Sequence, residues 1–203
     1  MRRVIFTVII LAVEALLCNF GNFDLENAEA DSEVKTISDD ATGGSCTEIG
    51  AWNVATKTCT LGADGDYRVL VQSNGITLDG NGHTLAGNAT EIANDAITVA
   101  GKTGVTIKNI TLTDFSYGVH LLYADGNSVS NINATGNLGA GISLSNSNYN
   151  TLTDNVIVNF FSDTGICIGY ASTHNILSHN HLANADRGIY VHDYSSYNTF
   201  SDN

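Results

Sequence analysis

Short runs in which apolar and variable residues alternate recur along the second half of this chain. Gly141-Ile142-Ser143-Leu144 returns as Gly165-Ile166-Cys167-Ile168 and as Gly188-Ile189-Tyr190-Val191. It is preceded by Gly118-Val119-His120-Leu121 and by a looser Ala96-Ile97-Thr98-Val99. The second positions (97, 119, 142, 166, 189) are all Ile or Val and lie 22, 23, 24 and 23 residues apart. The fourth positions are all Val, Leu or Ile, whereas the third positions (Thr98, His120, Ser143, Cys167, Tyr190) vary freely. A period of two predicts a short strand with its apolar side inward and its variable side outward. Recurrence at a fixed interval predicts that the strands stack as a solenoid.

Further columns keep the same interval. Ile107, Val129, Leu152, Leu177 and Phe200 form one, and Leu112, Ala134, Ile157 and Leu182 form another five residues later. Asn127, Asn150, Asn175 and Asn198 precede the first of these by two residues. Asn155, Asn180 and Asn203 follow it by three, where earlier coils carry Ile110 and Ile132. Asparagine tolerates turn dihedrals, and stacked amides can hydrogen-bond from coil to coil. A leucine-rich repeat would need an L-x-x-L-x-L frame, and helical repeats would need apolar spacings of three and four; neither occurs. The expected fold is all-β: a right-handed parallel β-helix of about five to six coils of 22–25 residues, each rising about 4.8 Å, with a short N-terminal cap.

Taken in order, residues 1–30 read as a signal peptide. Arg2 and Arg3 make a basic start, Val4 to Val13 an apolar core, and Ala28-Glu29-Ala30 a cleavage site. The apolar run is short for a membrane span and Glu14 interrupts it, so a membrane is expected as a partner only through an uncleaved signal. The implied localisation is secreted, periplasmic or cell surface. Residues 31–68 lack the repeat and are assigned as the cap. Within them Cys46 and Cys59 bracket the only tryptophan, Trp52, and in an exported chain read as a disulfide-closed loop. Residues 69–203 are assigned to repeats, starting near Tyr67. Asp79 and His83 sit in a glycine-rich corner and are given a structural role, and residues 86–95 lengthen the first coil. The repeats run to Ser201-Asp202-Asn203, inside a coil, so further β-helix coils of a longer chain are expected beyond it.

Charge narrows the partners. The chain has 8 basic and 21 acidic residues; the first 30 positions hold 2 and 4 of them, leaving about −11 on the rest. That disfavours nucleic acid, whose phosphates need a basic stripe. Acidity suits a soluble exported protein; calcium binding would need clustered carboxylates.

The form Asn150-Thr-Leu-Thr-Asp-Asn155 followed by Gly165-Ile-Cys-Ile resembles the right-handed parallel β-helix repeat of the pectin-lyase-like superfamily, over about residues 70–203. Within it the chain is most similar to the NosD-type group. The cap followed by the Leu78–Leu85 corner is also similar to exported archaeal and bacterial members. The resemblance implies carbohydrate-binding or sugar-hydrolase repeats, and it brings copper forward as a candidate cofactor.

For metal, His179 and His181 are one residue apart, with His174 nearby at a turn; imidazole suits copper. His120 and Cys167 occupy third positions two coils apart, about 10 Å, too far for one ion. For hydrolysis, Asp163 and Asp186 could approach from adjacent coils, but no column holds two acids in register. Asp186-Arg187 reads as a solvated ion pair, and Val191-His192-Asp193 is similar to the His-Asp pair of alginate-type epimerases. For binding, Tyr190, His192 and Asp193 lie on one strand, with Tyr170 and Tyr123 beyond its far end in other coils. Tyr149, His174 and Tyr197 share a corner column. Tyrosine rings among amides and hydroxyls suit sugars. The favoured reading is an exported carbohydrate-binding or scaffold module without catalysis in this segment, its partner a polysaccharide or cell-surface glycan. The alternatives are a polysaccharide-active lyase, hydrolase or epimerase, and a periplasmic copper-binding accessory for copper-enzyme maturation.

Overall fold

The computed structural model describes residues 33–88, 94–158 and 164–203, so the expected signal peptide and Asp163 lie outside the described residues. Two long sheets carry the chain. The seven-stranded sheet stacks Val34–Ile37, Arg68–Val71, Ile97–Ala100, Tyr117–Leu122, Ala140–Ser145, Thr164–Gly169 and Arg187–Val191, in that order and all parallel. The eleven-stranded sheet stacks the remaining strands, and its one antiparallel pair is Gly50–Asn53 with Thr58–Leu61. This is a parallel β-helix of about six coils.

The register matches the apolar columns. Ile97, Val119, Ile142, Ile166 and Ile189 are successive Cα partners, as are Ile107, Val129, Leu152, Leu177 and Phe200. Leu112, Ala134, Ile157 and Leu182 pair in the same way. Except at the last coil, where Phe200 is exposed and Leu182 and Ile189 are partly buried, their side chains fill one continuous core that runs from Ile37 to Leu177. Burial of an Ile or Leu contributes about 1.5–3 kcal/mol, and every coil supplies several.

Where Asn replaces Ile, the strand divides. Thr106–Thr113 and Ser128–Thr135 run unbroken for eight residues through Ile110 and Ile132. The next coils carry Asn155 and Asn180 there, and the strands separate into Thr151–Thr153 with Val156–Val158, and Ile176–Ser178 with His181–Ala183. The amide takes over the bond between coils: Ile132 N–H donates to Asn155 Oδ1 at 3.0 Å, Asn155 N–H to Asn180 Oδ1 at 3.2 Å, and Asn180 N–H to Asn203 Oδ1 at 3.1 Å. A second ladder runs through Asn127, Asn150, Asn175 and Asn198: the Asn127 oxygen accepts from Val105 N–H, and each later oxygen from the preceding asparagine's N–H, all at 2.8 Å.

The corners use left-handed backbone. Asn109, Asn131, Asp154, His179 and Asp202 form one column of positive φ (57°, 52°, 55°, 56°, 53°). Gly126, Tyr149, His174 and Tyr197 form another, and Tyr123, Asn146, Tyr170 and Asp193 a third. Only Gly, Asn and Asp enter this region readily, so the tyrosines and histidines here are exceptions.

The cap is continuous with the solenoid. Val34–Ile37 pairs in parallel with Arg68–Val71, and Thr58–Leu61 with Thr77–Asp79, so stacking begins well before Tyr67. A one-turn helix, Cys46–Ile49, presents Cys46 to Cys59, and the two form a disulfide across 13 residues. Trp52 Nε1–H donates to the Asp40 carbonyl at 3.0 Å. Its ring lies against Gly43, where a Cβ would come within 2.4 Å of it and φ is +70°. Asp79 accepts from Asn81 N–H at 2.9 Å and lies 3.1 Å from Lys108, while His83 Nδ1 lies 3.2 Å from Asp64; both residues brace the corner.

Candidate functional site

The outward side of the seven-stranded sheet differs from its expected solvent-facing character. Thr98 and Tyr190 are half-buried, but His120, Ser143 and Cys167 are buried. Tyr117, Ala140 and Cys167, with Tyr190 against them, form a second apolar cluster separate from the core. Three columns make up this face. Tyr117, Ala140, Thr164 and Arg187 pair in one; Thr98, His120, Ser143, Cys167 and Tyr190 in the next. Ala100, Leu122, Ser145 and Gly169 pair in the third, and His192 follows Val191 beside Gly169.

Side-chain size then shapes the face. The coil of Tyr117, His120 and Leu122 and the coil of Arg187, Tyr190 and His192 are bulky. The two coils between them present Ala140, Ser143 and Ser145, then Thr164, Cys167 and Gly169. With strands about 4.8 Å apart, small floors between large walls leave a cleft. Tyr117, Ser143, Leu144, Ser145, Cys167, Gly169, Tyr170 and His192 line this shallow recess.

One wall of the cleft brings together three reactive groups. Cys167 Sγ lies 3.4 Å from His192 Nε2, and His192 Nδ1 lies 2.9 Å from Asp193 Oδ2. The carboxylate fixes the proton on Nδ1 and leaves Nε2 as the acceptor toward the thiol. His192 reaches across the strand because Gly169 has no side chain: a Cβ there would sit 2.5 Å from Nε2. The imidazole is further held by stacking on Tyr190 at 4.8 Å and by an edge contact with Tyr170 at 5.9 Å. The His192 side chain is 10% exposed and Cys167 is 2% exposed. On the same sheet face, buried His120 pairs through Nδ1 with Asp95 Oδ2 at 2.8 Å.

The binding residues expected from the sequence fall into two sets. Tyr170, Tyr190, His192 and Asp193 converge at this cleft. Tyr123 stands two coils from Tyr170 in the same corner column, with Asn146 between them. The Tyr190 ring is partly taken: Arg187 lies over it at 4.5 Å, replacing the solvated Asp186-Arg187 pair expected there.

The metal residues do not assemble. Among the described residues no three His, Cys, Asp or Glu form a group able to hold a metal ion. His174 is stacked between Tyr149 and Tyr197 at 5.0 and 5.2 Å. His179 serves as a left-handed corner residue 3.8 Å from Asp202, and His181 stands exposed on its strand. In the cleft, Asp193 occupies the imidazole nitrogen remote from Cys167, so thiol and carboxylate cannot share an ion through that ring. The donor set fits neither the copper suggested by resemblance nor calcium.

The Cys167–His192 contact was missed because the two residues were read in different columns. The available signal was Gly169, a small residue beside a histidine one coil later.

A family model described as "Right handed beta helix region" matches residues 52–203. The chain belongs to the right-handed β-helix family. No curated protein and no solved structure matches it. For a β-helix, fold alone does not specify activity, so function must come from the face just described. No helix among the described residues is long and apolar enough to cross a membrane.

Proposed function

We propose that this β-helix is an exported glycan-binding module of the NosD type within the pectin-lyase-like superfamily, recognising a polysaccharide or cell-surface glycan. The observation that carries the reading is the corner row Tyr123, Asn146, Tyr170 and Asp193, one residue per coil at the edge of the seven-stranded sheet. Tyr123 is 57% exposed, Tyr170 is half-buried, and Tyr194, next to Asp193 at the far end of the row, is 94% exposed. Tyr123 and Tyr170 are two coils apart, about 10 Å, close to the two-residue repeat of an extended β-1,4-linked glycan. Aromatic faces stack on sugar rings, and the amide and carboxylate between and beyond them suit sugar hydroxyls. The Cys46–Cys59 disulfide supports an oxidising, extracytoplasmic location.

The test is a glycan array with the parent and a Tyr123→Gly/Tyr170→Gly double variant. Glycine suits both positions, where φ is +50° and +54°, so the rings are removed without straining the corner. Retention of an extended glycan by the parent, lost in the double variant while its circular dichroism spectrum stays that of the folded parent, is the expected result. A parent that retains no glycan refutes the reading.

A further inference from the structure

We propose that Cys167, His192 and Asp193 form a thiol centre that hydrolyses esters of small acyl groups. Three observations meet at one place. The thiol is within reach of an imidazole nitrogen, at 3.4 Å. The opposite nitrogen is oriented by a carboxylate at 2.9 Å. Both thiol and imidazole line a shallow surface recess whose floor is cut down to small side chains. A nucleophile beside a base, itself oriented by a third group, is the arrangement that activates sulfur for acyl transfer. A core thiol needs none of these partners, because buried cysteines otherwise behave as small hydrophobes.

The chemistry closes on water alone. Cys167 passes its proton to His192 Nε2 and its sulfur attacks the ester carbonyl carbon. The carbon–oxygen bond to the alcohol breaks, His192 returns the proton to the departing oxygen, and a thioester remains on Cys167. Water then gives a proton to Nε2 as its oxygen attacks the thioester carbonyl. The carbon–sulfur bond breaks, the sulfur regains the proton, and a carboxylic acid leaves. Ser143 and Ser145, lining the cleft on the adjacent coil, are the hydroxyl donors available to the developing oxyanion. Cys167 is the catalytic nucleophile and His192 the base, while Asp193 acts through His192 as a positioning residue. The inference does not rest on the glycan reading, and its probe contains no sugar.

The experiment mixes the folded protein with p-nitrophenyl acetate at pH 7 and maps the acetylated residue by mass spectrometry. The expected result is a burst of p-nitrophenolate, an acetyl thioester on Cys167, and continued turnover. Cys167→Ala removes the burst. An ordinary thiol is only a few per cent thiolate at pH 7, so His192→Gln slows acylation by about tenfold or more. Asp193→Asn lowers the acylation rate with little change in the apparent substrate affinity, a split that loss of packing alone does not produce. The proposal is overturned if the native parent is acetylated only on lysines, if Cys167 reacts only after unfolding, or if His192→Gln reacts as fast as the parent. Iodoacetamide labelling of the same variants provides a second readout, independent of the ester, in which His192→Gln slows alkylation of Cys167 comparably.

Discussion

Asn155 offers the sharpest test of how the coils hold together, because its amide replaces a backbone bond inside the protein. It is fully buried. Its oxygen accepts from Ile132 N–H at 3.0 Å, and its Nδ2 donates to the Val129 carbonyl at 3.1 Å and to Asn180 Oδ1 at 2.8 Å. Asn155→Ala leaves the Ile132 N–H and the Val129 carbonyl without that partner in a region closed to water. Each orphaned buried group costs about 1–3 kcal/mol, so the variant should lose roughly 2–6 kcal/mol against a typical total of about 5–15 kcal/mol. For a chain of this length that lowers the melting midpoint by roughly 10 °C, measured by circular dichroism. Asn198→Ala is the control. It removes the same kind of bonds, to Asn175 N–H at 2.8 Å and to the Ser172 carbonyl at 3.0 Å, from a half-buried site where water can replace them. Its cost should be near 1 kcal/mol, the net value of a replaceable hydrogen bond. Equal shifts in the two variants would refute the argument that burial sets the value of the ladder.

Two further outcomes follow from the cap. Reducing the Cys46–Cys59 disulfide frees a loop spanning 13 residues and should cost about 3 kcal/mol in the chain-entropy picture; an unchanged midpoint with both thiols alkylated would contradict it. The Asp40 carboxyl is held well below its ordinary value of 3.8 by hydrogen bonds from Gly44 N–H first, then Ser38 Oγ and Thr42. A depressed folded value means that the stabilisation is present above about pH 4 and is lost as pH falls through the folded value. The parent should therefore melt progressively lower as pH drops below 4, and Asp40→Asn should flatten that acid limb; parallel pH curves would count against the assignment.

The repeat was legible in the sequence because the inward columns answer to a simple physical demand. Every coil must place an apolar side chain above the one below, so Ile142, Ile166 and Ile189 announce their stacking by spacing alone. The asparagine ladders were legible for the same reason, since a corner amide that bonds to the next coil must recur in it. The start of the stack was less visible. Val34–Ile37 joins the first sheet across an interval of 34 residues to Arg68–Val71, and an irregular interval leaves no periodic trace.

The outward face obeys different rules, and there alternation misleads. Period two separates the two sides of a strand but does not say whether the outer side meets water. Ser143 and Cys167 are buried because bulky residues on flanking coils rise around small ones, and His120 because Asp95 and Tyr117 pack against it, relations among neighbours in space rather than along the chain. The Cys167–His192 contact is diagonal: the direct partner of Cys167 is Tyr190, and His192 lies two residues beyond it. Such a contact forms only where the intervening position lacks a side chain, which makes Gly169 the determinant of the site. In a β-helix, then, the residues that stack reveal the fold, and the small residues interrupting an outward column show where side chains from neighbouring coils can cross it.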